Sequence, residues 1–135
     1  MHVGFTFHDN PSFNRRHLWV IVSIAPNGKL VAFNITSHRD GIDESCVLNR
    51  SDHPWLKVKS VIAYQKGQLW DPVELQRALD SQIYQKNEVA SEELVRRIAE
   101  GALASPRTKG ELKDILIERG TKRPYAVQTK KCSPA

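Results

Sequence analysis

Apolar and polar positions change their spacing once along this chain, near residue 71. Before that point short apolar runs alternate with turn chemistry; beyond it apolar residues recur at intervals of three and four. The clearest run is 18–24, LWVIVSI, almost wholly apolar and rich in Val and Ile, which predicts a buried strand. Ala25-Pro26-Asn27-Gly28 follows as a turn, because Pro presets φ and Asn-Gly tolerates positive φ. Residues 29–35 then alternate, with Val31, Phe33 and Ile35 on one face. A hairpin built this way sets the start of its first strand beside the end of its second. It gathers Arg15, Arg16 and His17 with Thr36, Ser37, His38 and Arg39 at one edge of a sheet. Such a group of cations and hydroxyls either binds an anion such as phosphate or is a solvated edge.

Further short strands are expected around the hairpin. Residues 2–7 read as an edge strand, 45–48 as a short strand after the Asp40-Gly41 turn, and 49–54 as a polar loop stopped by Pro54. Residues 58–64 predict another strand, followed by a Lys66-Gly67 turn and a last short strand at 68–70. Many short strands with turns between them predict a small, strongly curved sheet or barrel. At Asp71-Pro72-Val73-Glu74 a helix starts, with Asp as cap and Pro in the first turn, and Leu75, Ala78, Leu79 and Ile83 form its stripe. A second helix begins near Ser91, carries Leu94, Val95, Ile98 and Ala102 on one face, and stops at Ser105-Pro106. Thr108 to Glu111 matches a capping box that opens a third, with Leu112, Ile115 and Leu116 inward and Gly120 at its end. The expected class is mainly β with α (α+β): residues 1–71 a small β-barrel, residues 72–135 a helical C-terminal extension with a basic tail.

Composition changes this picture in a few places. The net charge of +5 belongs to the tail: Arg119, Lys122, Arg123, Lys130 and Lys131 follow or flank the last acid, Glu118, and residues 1–118 balance. Charge alone therefore does not mark the body as a nucleic-acid binder. No apolar run approaches the ~20 residues of a membrane span, and the opening MHVGFTFHDN lacks a signal-peptide layout, so a cytoplasmic protein with no membrane partner is expected. Cys46 and Cys132 make neither a disulfide framework nor a zinc-site spacing, and Cys46 reads as a core residue.

In order and approximate spacing, three stretches resemble the MazF/PemK toxins. RHLWVIVS resembles the R-P-x-x-V-(I/L)-S strand of that family; the segment ending NITSHR resembles its I-T-S strand; KVKSVIAYQKGQL resembles its Ser-Val-Ile strand with polar and basic residues after it. The resemblance covers roughly residues 15 to 75. It implies an SH3-like β-barrel, usually a homodimer, that cleaves single-stranded RNA without a metal or other cofactor and is neutralised by an antitoxin. It places the family's catalytic Arg on Arg16, with Arg15 beside it, and the catalytic Thr or Ser on Thr36, with Ser37 next. The family's glycine-rich opening is missing, its Pro after the Arg is His17 here, and the helical region is longer. Those departures fit an alternative, a MazF-like module that binds a protein or nucleic acid without cutting it.

Cleavage of RNA by its own 2′-oxygen needs charge stabilisation and two proton transfers, not a protein nucleophile. Arg suits the phosphate, Thr36 or Ser37 its oxygens, and His38 or His17 the protons, since imidazole titrates near neutrality. Arg15, His17, Arg39, His53, Trp55, Lys57 and Lys59 are the candidate RNA contacts. Trp55 either stacks on a base or closes the core, and the lysines either track a backbone or are solvated.

Overall fold

In the computed structural model, which describes residues 1–9 and 17–122, the central hairpin forms as its pattern predicts. Strand β2 (Leu18–Ile24) pairs antiparallel with β3 (Leu30–Ser37), from Leu18 opposite Ile35 to Ile24 opposite Leu30. The turn closes with Gly28 N–H donating to the Ala25 carbonyl at 2.8 Å, and Gly28 takes φ +88°, which only a residue without Cβ adopts cheaply. Around this hairpin stand β1 (Thr6–Asp9), β4 (Val47–Leu48), β5 (Ser60–Trp70) and β6 (Tyr84–Asn87), with helices α1 (Pro72–Asp80), α2 (Glu92–Ala104) and α3 (Gly110–Glu118). The strands form one antiparallel sheet in the order β4-β5-β3-β2-β1-β6.

Both faces of the sheet are covered, which is why β2 reads as nearly continuous apolar sequence. Leu18, Val20, Val22, Val31, Phe33 and Ile35 pack against α2 and α3 through Leu94, Ile98, Leu103, Leu112 and Leu116. Trp19, Ile21, Leu30 and Ala32 point the other way, onto Phe5, Phe7 and Leu75, with Trp70, Leu79 and Tyr84 against them. Cys46 is core, as its run predicts, and burial pushes its thiol up to about 11.

The α+β, mainly β class holds. The sheet is open: β4 and β6 are its edges and no ladder joins them among the described residues. The loop between β4 and β5 instead reaches toward the β6 side. There His53 bonds the Glu88 carbonyl at 2.7 Å, and the Trp55 ring lies 4.6 Å from that of His8.

Several local expectations are corrected. The segment 2–7 is not an edge strand; β1 starts at Thr6 and lies between β2 and β6. The expected turn at Lys66-Gly67 is strand, part of one long β5. Gly67 is there because a Cβ would stand 2.3 Å from the Phe33 ring. Ala32 faces Gln68 while Asn34 faces Ala63, so residues 64–67 bulge past Phe33. The predicted apolar stripe of α1 runs on to Ile83, but the helix ends at Asp80 and Ile83 is exposed. The chain leaves α1 through Gln82 at φ 61°, with Ile83 N–H bonded to Ala78 and Gln82 N–H to Leu79. That is a glycine-type helix stop built without glycine, so no punctuation announces β6. Thr108 does not cap α3: Lys109 holds that position without a side-chain capping bond, and the Thr108 hydroxyl is buried without a partner.

The caps at Asp71 and Ser91 do form, onto Val73 at 2.8 Å and Leu94 at 3.0 Å. Gly120, at φ +98°, ends α3 as expected. Residues 72–135 are thus not only helical. β6 pairs with β1, and Leu75 shares a cluster with Phe7 and Trp19, so the 71/72 division runs through one sheet and one core. Arg15, Arg16, Cys132 and the tail beyond Lys122 lie outside the described residues. Among the described residues no helix is long and apolar enough to cross a membrane.

Candidate nucleic-acid interface

The end of β3 is fixed by its ladder to β5: Thr36 faces Val61, Ser37 faces Ser60, and His38 N–H donates to the Lys59 carbonyl at 3.0 Å. Because Leu18 faces Ile35, the chain enters β2 through His17 beside this end. Thr36 is half-buried, Ser37 exposed, His38 half-buried and Arg39 exposed. The backbone of His17 is therefore set beside Thr36 and Ser37, with His38 and Arg39 next in the chain. Arg15 and Arg16, immediately before His17, fall outside the described residues.

His38 does not stand alone. Its Nε2 is bonded to Glu44 Oε2, and this bond holds the Glu44 carboxyl below its ordinary value, with the positive charges of His38 and Lys59 acting the same way. The loop that carries Glu44 is pinned from within and from α2. Ser45 donates both its N–H (2.9 Å) and its hydroxyl (2.6 Å) to one Asp43 oxygen, and Ser105, at the C-cap of α2, donates its hydroxyl to the other. Burial works against the Asp43 charge, yet the bonds from Ser105 and Ser45 outweigh it and hold the carboxyl below its usual 3.8. An imidazole steered by a carboxylate can exchange protons with a substrate held beside it.

Ser37, Trp55, Lys57, Val58 and Asn87 line one open cleft of about 450 Å³. Ser37, from the end of β3, thus shares a surface with Trp55 and Lys57 from the loop before β5. Trp55 is half-buried against the core and also lines this cleft. Lys57 and Lys59 are exposed, but they precede β5 in irregular chain. Lys59 lies within electrostatic reach of Glu44.

His53 is different. It is 3 % exposed, with Nε2 on the Glu88 carbonyl and Nδ1 accepting the Trp55 N–H at 3.0 Å. Both ring nitrogens are committed to the fold, so it offers no surface to RNA. The same loop is tied to α2 by Arg97, which bonds Asp52 at 2.7 Å and the Val47 carbonyl at 2.8 Å.

Sequence reasoning missed Glu44, Asp43 and Ser105. They sit in polar stretches without periodicity, and nothing local says which of several acids meets His38. Among the described residues no three His, Cys, Asp or Glu side chains group as a metal set. Compared with family models, curated proteins and solved structures, the chain matches none.

Proposed function

We propose that this chain is a toxin-type endoribonuclease acting on single-stranded RNA in the cytoplasm. In this reading the curved sheet is an SH3-like barrel whose open side is bridged by the 49–57 loop. The protein works as a homodimer, and an antitoxin covers its RNA surface. The observation that carries the reading is the His38–Glu44 pair, which directly follows Thr36 and Ser37 at the end of β3, beside the point where the chain enters β2.

The chemistry follows from that convergence. The RNA 2′-oxygen attacks the adjacent phosphorus and the 5′-oxygen leaves, giving a 2′,3′-cyclic phosphate. One proton must leave the 2′-hydroxyl and one must reach the 5′-oxygen. His38, held by Glu44, serves one of these transfers, and His17, which leads into β2 beside the end of β3, serves the other. Thr36 and Ser37 hydrogen-bond phosphate oxygens. Arg16, one residue before His17, supplies the planar, permanently charged fork that stabilises the phosphorane. Arg39 and Lys57 add cations along the approach, and Trp55 gives the cleft a face on which a base stacks.

The test is cleavage of a mixed single-stranded RNA in EDTA. Wild type is expected to cut; Arg16→Ala and Thr36→Ala are each expected to cut roughly 100-fold more slowly or worse while remaining folded. Folded wild type that leaves RNA intact would overturn the enzyme and leave a binding module in its place.

A further inference from the structure

Arg107 plays no part in the chemistry above and carries no sequence motif. It lies in the connection between α2 and α3, and its backbone N–H donates to Ser105 Oγ at 3.1 Å. Since Ser105 also bonds Asp43, this connection is fastened to the loop that follows β3. Arg39, Asp40, Gly41, Asp43, Gln65 and Arg107 consequently line one small cleft of about 160 Å³, most of it polar.

Both arginines are exposed, and neither guanidinium has a hydrogen-bond or ion-pair partner among the described residues; Arg107 acts on Asp43 through its field alone. Asp43 bonds neither guanidinium; its oxygens accept from Ser45 and Ser105. The formal charges of Arg39, Arg107, Asp40 and Asp43 balance, so the cleft attracts an anion through the donor forks and not through a broad field. Its size suits a phosphate group and not a base with its sugar. It also begins at Arg39, the residue after His38.

We propose that Arg39 and Arg107 form a second phosphate subsite, which holds a backbone phosphate next to the scissile one. Arg107 brings the helical half of the chain into contact with the substrate. The proposal rests on the RNA-cleaving reading of the neighbouring site.

The test measures binding of a labelled, fully 2′-O-methylated single-stranded RNA, which cannot be cut, to the full chain across a salt series. Arg107→Gln is expected to weaken binding by about threefold to tenfold and to make the logarithmic salt slope shallower by about 0.7, the value of one single-strand phosphate contact. Arg107→Lys keeps the charge and the slope but loses part of the affinity, because the fork is gone. Lys29→Gln removes an equal charge at the hairpin turn, the far end from the site, and should change neither quantity. Wild-type binding with Arg107→Gln unaffected, or an equal loss in Lys29→Gln, would overturn the subsite alone. No binding by wild type would overturn the RNA reading itself.

Discussion

His53 shows how far a side chain's position can override its type. A histidine in a polar loop before Pro-Trp is a reasonable RNA contact by composition, yet here its ring links the β4–β5 loop to the residue after β6. Removing it strips one donor from the Glu88 carbonyl and leaves the Trp55 N–H without its acceptor. His53→Ala is expected to cost about 1–3 kcal/mol of unfolding free energy in urea titrations. Reduced affinity at full stability would return His53 to the RNA surface. Gly67 makes the complementary point. Its sequence context, Lys-Gly, reads as a turn, but what it supplies is room for the Phe33 ring.

The helices separate into those whose limits are set by their own residues and those whose limits are set by neighbours. Asp71 accepts from Val73 and Glu74, and Pro72 stands in the first turn, so α1 begins where local chemistry says it must. Asp71→Ala is expected to lower stability by about 1 kcal/mol, read as a shift in the urea midpoint with an unchanged slope. A neutral result would mean that packing of Leu75 alone sets the helix start. The end of α1 is another matter. Gln82 adopts positive φ, which glycine would normally mark, and the next residues become β6 only because β1 offers a free edge: Phe7 opposite Lys86, His8 opposite Gln85. Tyr-Gln-Lys-Asn has neither the length nor the alternation of a strand. α3 shows the reverse failure, a capping-box sequence whose threonine turns inward and caps nothing.

Across the molecule, the helical half is not an appendage to a barrel. α2 and α3 cover one face of the sheet, while α1 and β6 close the other. α2 also reaches the candidate site indirectly: Ser105 holds Asp43, and Arg97 holds the loop that presents Trp55 and Lys57. A fragment of residues 1–71 would expose Phe33, Ile62 and Tyr64 on one face and leave Phe7 and Trp19 half-covered on the other. It is therefore expected to show no cooperative urea transition and poorly dispersed amide resonances. A fragment that unfolds cooperatively would restore the division into barrel and extension.

What could be read directly from residue order was whatever neighbouring residues settle among themselves. The Pro-Asn-Gly turn, the alternation of β3, the caps of α1 and α2 and the α+β class are decided within a few positions, by φ preferences and by apolar spacing. The approximate juxtaposition of His17 with Thr36 and Ser37 belongs here too, although a bulge between Ile21 and Ser23 moves the pairing one residue from the register the turn sets. Tertiary structure decided the rest: the open sheet order with β1 inside it, the strand at Tyr84–Asn87, and the burial of His53. It also chose Glu44 as the partner of His38 and set Arg107 beside Arg39. Each of these depends on contacts between residues distant in the chain, and such contacts leave no local period or spacing, because their geometry exists only once the sheet and helices have packed.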